Sequence, residues 1–213
     1  IIDNAISANA KNIYLDSRWH GTDSYITVLD DGNGLNREQL IEAMRPGSKN
    51  PLENRSDKDL GRFGLGLKTA SFSQCRRVMV ISKREGYNAV YLTWDLDFVG
   101  ISGKWHLLNY CPEEFINSLD NMKTGTMIIW TNLDRIIPNH TIETDKKAHD
   151  KFMSQMENIH KHLSMTFHRF IEDRDFVLHG WGVPVKPWNP FLITESATQG
   201  FSNQSLGDGA EVK

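Results

Sequence analysis

The sequence predicts a domain of mixed α/β class whose strands pair mostly antiparallel. Two observations lead to this prediction. Segments with helical spacing of apolar residues alternate along the chain with short apolar runs that are typical of strands. The 213 residues, of which 39% are apolar, suffice for one globular domain, or for one domain and part of another. The net charge of −3 does not indicate a nucleic-acid-binding or membrane-binding surface.

The first elements follow from periodicity and turn residues. Residues 2–13 begin with a helical pattern, and NIYLDS follows as a short strand. SYITVLDDGNGL is a strand that ends in a turn of Asp, Asn and Gly. In NREQLIEAMRPGS, Asn36 stands three residues before Gln39, as in a capping box, and Pro46 ends the predicted helix.

The later elements are predicted in the same way. Residues 47–60 are polar and form a long loop, a length that is usually functional or disordered. RVMVISKR, NAVYLTWDLD and GKWHLLNY are predicted antiparallel strands, and the apolar run of TGTMIIWTNL indicates a strand covered on both faces. Residues 144–172 have a helical pattern, and DFVLHGWGVPVKPWNPF is a hairpin-like pair. The polar residues 195–213 are predicted to be a flexible tail.

A glycine-rich stretch, GRFGLGLKTAS, precedes a predicted helix. It is not a P-loop, because Leu67 follows Gly66 and Lys68 comes one position too late. The preceding residues are charged and are not a buried strand, and the order G-x-x-G-x-G is not the dinucleotide-binding order. The stretch could be a tight turn only. However, glycines that let the backbone approach a ligand, followed by helix amides and a lysine, indicate an anion site.

Two other stretches are ambiguous when each is taken alone. DDGNG is a hairpin turn, and an EF-hand starting at Asp31 fails because it needs a ligand at Leu35 and a glycine at Asn36. Asn4 lies in an Ile/Ala helical pattern, where an amide is either solvent-facing or a ligand. Cys75 and Cys111 match no metal spacing and are predicted to be free thiols in a reducing compartment.

In this order, the pieces resemble the motifs of the GHKL ATPase superfamily, which includes the ATPase modules of DNA gyrase B, heat-shock chaperones, histidine kinases and MutL. IIDNAISANA resembles its E-x-x-D-N-A box, DDGNG its D-x-G-x-G box, and GRFGLGLKTAS its G-x-x-G-x-G box, while TGTMIIW resembles the later Gly-Thr strand. FGLGLKTASFS and GTMIIWTNLDR are similar to the MORC-like branch and its bacterial relatives. The resemblance implies an α/β two-layer sandwich of the Bergerat type, with a mixed, mostly antiparallel sheet and helices on one face.

The resemblance also implies roles for individual residues. Asn4 would bind Mg²⁺, for which an amide oxygen is a suitable ligand. Asp30 would accept a hydrogen bond from the adenine amino group and so select adenine, with Thr126 helping to hold Asp30 and a water. Lys68, the one catalytic residue predicted within the chain, would meet the charge of the β- and γ-phosphates. The predicted nucleotide-binding residues are Asn4, Ala8, Asp30, Gly32, Gly34, Leu35, Gly61, Arg62, Phe63, Gly64, Leu65, Gly66, Leu67, Lys68 and Thr126.

Two positions depart from the family pattern. The glutamate that acts as general base falls immediately before Ile1, so the resemblance implies that an upstream segment is missing. As it stands, the chain is expected to bind nucleotide better than it hydrolyses it. Ser7 stands where relatives often have Asp. The loop 46–60 would be a lid that closes over ATP.

The function implied is that of a Mg-dependent ATPase whose lid closure drives conformational change or dimerisation in a larger machine, with a machine that acts on DNA as one option. A histidine-kinase-type phosphotransfer domain and a non-hydrolysing nucleotide-binding module stay open as alternatives. ATP, ADP and a second copy of the full-length protein are the expected partners, and the expected location is the cytoplasm, or the nucleus in a eukaryote. Residues 1–135 would be the ATP-binding domain, and 136–194 a connector to a following domain.

Overall fold

The computed structural model describes residues 1–45 and 66–192. The strands are β1 (Asn12–Arg18), β2 (Tyr25–Asp30), β3 (Arg77–Lys83), β4 (Val90–Asp95), β5 (Gly125–Thr131), β6 (Val177–Gly180) and β7 (Val183–Pro184). The helices are α1 (Ile2–Ser7), α2 (Arg37–Met44), α3 (Gly66–Phe72), α4 (Leu96–Ser102), α5 (Glu113–Ile116), α6 (Lys146–Thr166) and α7 (His168–Glu172).

All of these strands form one sheet in the order β4-β3-β5-β2-β1-β6-β7. β1 and β6 pair in parallel, and every other pair in the sheet is antiparallel. The mixed, mostly antiparallel sheet expected from the sequence is therefore confirmed.

The two faces of the sheet bury two separate apolar clusters. Because side chains alternate along a strand, Val78 and Val80 of β3 lie on the first face, and Met79 and Ile81 on the second. The first face is covered by apolar side chains of α1, α2, α3 and α6. On the second face, Phe115 of the short helix α5 packs against the strands. β5 contributes to both clusters, as its apolar run predicts.

Helix α2 begins with the predicted capping box. The side chain of Asn36 accepts from the main-chain N–H of Gln39, and the side chain of Gln39 accepts from that of Asn36. Leu40 and Met44 of this helix are buried against the sheet. At its C-terminus, the indole N–H of Trp94 on β4 donates to the main-chain oxygen of Met44 at 2.9 Å. These contacts fix α2 beside the turn that follows β2.

The structure differs from the predicted elements between β4 and β5. GKWHLLNY is not a strand and contributes only an isolated bridge between Leu108 and Thr93. The predicted strand NAVYLTWDLD ends two residues early, at Asp95, and residues 96–102 form α4, because the Asp95 side chain caps the helix by accepting from Asp97 N and Phe98 N. The short α5 was also not predicted.

The C-terminal elements join the same sheet and core. The helical pattern of 144–172 is divided into α6 and α7 at Phe167. The predicted hairpin is present as β6 and β7. Phe152 and Met156 of α6 lie in the cluster on the first face, and β6 extends the sheet from β1. The boundary at residue 135 stays a prediction.

Cys75 and Cys111 are both buried free thiols, and burial raises their pKa values to about 12 and about 11. Across residues 1–45 and 66–192, every helix is too short or too polar to cross a membrane.

Candidate functional site

A row of three polar side chains lies at one end of three neighbouring strands of the sheet. The strand register places Ser82 of β3 opposite Thr126 of β5, and Thr126 opposite Asp30 of β2. Facing residues on neighbouring strands have side chains about 5 Å apart on the same face. This is the first face, because Val80 and Ile128 lie on it two positions away along their strands. The row therefore marks the point where the apolar helix-covered face becomes polar.

Asp30 is a buried carboxyl group in an unusual electrostatic setting. Its side chain is only 6% exposed, and its Oδ1 accepts from the main-chain N–H of Gly32 at 2.9 Å. Burial raises the pKa of Asp30 to about 6, and the nearby charge of Asp31 acts in the same direction. The main-chain N–H groups of Gly32 and Thr126 oppose this shift without cancelling it. A carboxylate here has acceptor capacity left for a ligand.

The neighbouring Asp31 has a different task. Although burial acts to raise its pKa, hydrogen bonds from Asn12 and Lys11 outweigh burial, and its pKa is lowered. Its Oδ1 accepts from the main-chain N–H groups of Lys11 and Asn12 at 2.6 and 2.8 Å, and its Oδ2 accepts from Asn12 Nδ2 at 2.7 Å. Asp31 thus fixes the start of β1 to the end of β2. The two adjacent acids therefore differ: Asp31 is a structural carboxylate with a lowered pKa, and Asp30 has a raised pKa.

The turn after β2 is packed tightly on three sides. A Cβ added to Gly32 would lie 2.8 Å from Ala8 and from Asp30 Oδ1. Gly34 has φ +61°, and a Cβ there would overlap the main-chain oxygen of Lys83. The main-chain N–H of Asn33 donates to the oxygen of Ala8 at 2.9 Å, which joins the turn to the end of α1. Only glycine fits these two positions, and the backbone of the turn lies directly beside Asp30.

The first helix places Asn4 and Ala8 on the same side of the turn. The main-chain oxygen of Asn4 accepts from Ala8 N at 2.9 Å, so the two residues are one helical turn apart. Ile2 and Ala5 are buried in the core, whereas the side chain of Asn4 is exposed. The described residues contain no group of three or more His, Cys, Asp or Glu side chains that could hold a metal. An amide oxygen at Asn4 would share a Mg²⁺ ion with phosphate oxygens and water.

Lys68 lies in α3 and is almost fully buried, with 5% of its surface exposed. Its ammonium group donates to the main-chain oxygen of Arg45, just beyond the end of α2. Burial lowers the pKa of Lys68, while the charge of Glu42 acts to raise it. Gly66 is exposed at the start of α3, and Leu67 packs against the main core.

Part of the predicted site lies outside the described residues. This applies to the loop 46–60 and to Gly61, Arg62, Phe63, Gly64 and Leu65. The described part brings together Ala8, Asp30, Gly32, Gly34, Leu35 and Thr126 around the end of β2, with Asn4 on α1 beside it.

One residue of this cluster was missed by reading the sequence. Ser82 is fully buried, and its hydroxyl contacts Leu35 N, Thr126 Oγ1 and Gly125 O. In VMVIS it follows the apolar residues of one face at the two-residue spacing, and this polar break in the pattern is the feature that could have identified it.

The arrangement suits a purine nucleotide. A buried acceptor next to close-packed glycine backbone can receive an exocyclic amino group and let a flat base lie against the chain. A carboxylate that faces position 6 of the purine accepts from the amino group of adenine, whereas guanine presents a carbonyl there.

Comparison with known proteins leads to the same family as the sequence motifs. The family described as histidine kinase-, DNA gyrase B-, and HSP90-like ATPase matches residues 1–126. "ATPase morc-1" of Caenorhabditis elegans is 28% identical over 86 residues, which are 40% of this chain and 10% of that protein. The chaperone protein HtpG of Rickettsia typhi is 40% identical over 85 residues, covering 35% of this chain and 13% of HtpG.

A third relative is the DNA mismatch repair protein MutL of Buchnera aphidicola, which is 33% identical over 104 residues, covering 48% of this chain and 17% of MutL. The matches thus span between 10% and 17% of these three curated relatives. The matched region of the family, residues 1–126, is more than half of the 213 residues and contains α1, the β2 turn, α3 and the start of β5. The resemblance to the GHKL superfamily is therefore confirmed, and the chain belongs to the histidine kinase-, DNA gyrase B- and HSP90-like ATPase family.

Proposed function

We propose that this chain is the Mg-dependent ATP-binding module of an ATPase, with adenine held at Asp30 and the triphosphate between α1 and the N-terminus of α3. The observation that carries the proposal is the buried carboxyl group of Asp30, whose Oδ1 is tied to Gly32 N. Burial makes this carboxyl group costly to ionise. A ligand that donates to it offsets that cost.

The triphosphate side of the proposal is supported by the order of the elements. Asn4 on α1 would hold Mg²⁺, and the first main-chain N–H groups of α3, those of Gly66 and Leu67, would donate to phosphate oxygens. Lys68 would move from the oxygen of Arg45 to a phosphate oxygen, because an ammonium–phosphate bond is stronger than an ammonium–carbonyl bond. Gly61, Arg62, Phe63, Gly64 and Leu65 complete the proposed phosphate contacts.

The reaction proposed for the full-length protein is attack of water on the γ-phosphate, which breaks the bond to the bridging oxygen and releases ADP and inorganic phosphate. A Mg²⁺ ion held at Asn4 would supply positive charge for the phosphate oxygens. The general base would be a glutamate immediately before Ile1. Closure of 46–60 over the nucleotide, and dimerisation of the full-length protein, would couple ATP to work. Of the relatives named above, MutL is a DNA mismatch repair protein, which supports a role of the larger machine on DNA.

The test is calorimetry of Mg-ATP binding to the chain and to Asp30→Asn. The variant keeps the size of the side chain but has one oxygen for Gly32 N, for Thr126 N and for adenine, and it presents an NH₂ donor to the adenine amino group. We expect a loss of affinity of at least about tenfold, since an unpaired buried donor costs about 1–3 kcal/mol. Equal affinities of the two proteins would refute the proposed adenine site.

A further inference from the structure

We infer that Ser82 is a positioning residue of the adenine site, which holds both the Thr126 hydroxyl and the Leu35 turn in the arrangement that reads the base. This inference rests on the proposed function, because it concerns the same pocket. It assigns a task to Ser82, which lies outside the four stretches whose residues resemble family motifs.

The first observation is the placement of the Ser82 hydroxyl at the junction of three segments. Its oxygen accepts from the main-chain N–H of Leu35 at 2.8 Å and lies 2.8 Å from Thr126 Oγ1 and 3.2 Å from the main-chain oxygen of Gly125. One contact therefore reaches the turn after β2, and the other two reach the start of β5. The separation from Thr126 is the ordinary length of an O–H···O hydrogen bond.

The second observation is the burial of Ser82. The residue has no exposed surface, so water cannot reach the hydroxyl in its place without a rearrangement. A serine hydroxyl has one proton and two lone pairs. The Leu35 N–H takes one lone pair, and the proton goes either to Gly125 O or to Thr126 Oγ1. In both arrangements the oxygen of Thr126 stays hydrogen-bonded to Ser82, so its position is the same.

The third observation is that Ser82 reaches Asp30 through a neighbour on either side. Thr126 lies between Ser82 and Asp30 in the register of the sheet, and its main-chain N–H acts on the Asp30 carboxyl group. On the other side, the turn at Gly34 and Leu35 packs tightly against β3, because a Cβ added to Gly34 would overlap the main-chain oxygen of Lys83. Ser82 thus contacts Thr126, whose main-chain N–H acts on the Asp30 carboxyl group, and Leu35, which lies in the turn that follows Asp30.

Loss of the Ser82 hydroxyl should affect recognition of the base and not binding of the phosphates. Without the Ser82 hydroxyl, the Leu35 N–H and the Thr126 hydroxyl each lose a buried partner, and both groups are free to shift. Phosphate contacts at α1 and α3 would be unchanged, because Ser82 touches neither helix in the described contacts. Discrimination between a 6-amino and a 6-oxo purine should therefore fall more than binding of the triphosphate.

The experiment measures the affinities of Mg-ATP and Mg-ITP, which differ at position 6 of the purine, for the wild-type chain, Ser82→Ala and Ser82→Thr. We expect Ser82→Ala to lose about tenfold in ATP affinity and a similar factor in the ATP/ITP ratio. Ser82→Thr keeps a hydroxyl in a strand and should retain the wild-type ratio.

Ser24→Ala is the matched control. Ser24 is also fully buried, accepts from His20 N at 2.8 Å and donates to Gly21 O at 2.7 Å, but it precedes β2 at the opposite end of that strand from Asp30. This variant should lose stability without a change in the ATP/ITP ratio. A wild-type ratio in Ser82→Ala would overturn the inference and leave the proposed function intact, whereas failure of the wild-type chain to bind ATP would overturn the proposed function itself.

Discussion

The ammonium group of Lys68 donates to the main-chain oxygen of Arg45, and this bond joins the first turn of α3 to the end of α2. A cation at a helix C-terminus is favourable, because the last carbonyl groups of a helix have no partner within it. Lys68 therefore has a structural role in the described state in addition to its proposed contact with phosphate.

Replacing Lys68 by Met tests both roles, since the variant loses the bond to the oxygen of Arg45 and the proposed contact with phosphate. We expect Lys68→Met to change the free energy of unfolding by less than about 2 kcal/mol, because removing a buried charge offsets the lost hydrogen bond to the oxygen of Arg45, and to lower ATP affinity by about tenfold or more. Urea unfolding and calorimetry measure the two effects.

The matched control for that substitution is Lys83→Met. Lys83 also donates to main-chain oxygens, those of Leu119 and Asp120, each at 3.2 Å. We expect some loss of stability and unchanged ATP affinity. A similar loss of ATP affinity in both variants would count against a phosphate contact at Lys68.

The buried carboxyl group of Asp30 should reduce stability at neutral pH. Its pKa is raised on folding from 3.8 to about 6, so the folded chain binds the proton more tightly than the unfolded chain. Its contribution is therefore most favourable below pH 3.8, declines as the pH rises to about 6, and is constant above that. Asp30→Asn removes this ionisation penalty, which is about 1–3 kcal/mol at pH 7.5, while the buried amide donor of the variant offsets part of the gain in the free energy of unfolding.

Urea unfolding at several pH values checks this stability prediction. The advantage of Asp30→Asn over the wild-type chain should shrink between pH 7.5 and pH 5, since the wild-type carboxyl group becomes neutral in that range. A constant difference across the range would show that Asp30 does not titrate there.

Ionisation of Asp30 should favour ATP binding, although it disfavours folding. Because the ionised form accepts the adenine amino group, ATP affinity should rise with pH through about 6 and be about tenfold lower at pH 5 than its plateau. The phosphates of ATP also titrate, so inorganic tripolyphosphate serves as the control. An identical pH dependence for ATP and tripolyphosphate would argue against ionised Asp30 as the acceptor.

The turn glycine Gly34 provides a test of the packing. In Gly34→Ala the new methyl group would overlap the oxygen of Lys83, and φ is +61°. We expect a total loss of about 3 kcal/mol or more in the free energy of unfolding. This exceeds the cost of about 1–2 kcal/mol that the left-handed backbone alone would cause. Gly86→Ala is the control, since Gly86 has φ +80° but no atom within 4 Å of the added Cβ. Equal losses in the two variants would mean that strain alone explains Gly34.

Much of this fold follows from local sequence chemistry. The capping box of Asn36 and Gln39 fixes the start of α2, and the apolar run of β5 reflects burial on both faces of the sheet. Each of these features involves residues that are close in the sequence, either within one helical turn or within one strand. Helix α4 could have been found in the same way, since Asp95 caps its N-terminus and Gly103 ends it with φ +64°.

The rest of the site depends on contacts between distant segments. Ser82 and Thr126 are 44 positions apart and meet only because β3 pairs with β5. The bond from Lys68 to Arg45 likewise depends on the packing of α3 beside α2, and no spacing in the sequence indicates it. Asp30 and Asp31 differ in environment although they are adjacent, because the Asp31 side chain bonds Lys11 and Asn12 at the start of β1, whereas the Asp30 side chain bonds Gly32.

The position of adenine is tested most directly by a crystal structure of the chain with Mg²⁺ and a non-hydrolysable ATP analogue. We expect the 6-amino nitrogen of adenine within hydrogen-bonding distance of an Asp30 carboxylate oxygen, with Gly32 N still bound to Oδ1 and the phosphates beside Asn4 and the start of α3. An adenine ring bound away from the β2 turn, or Asp30 turned away from the base, would contradict the proposed site.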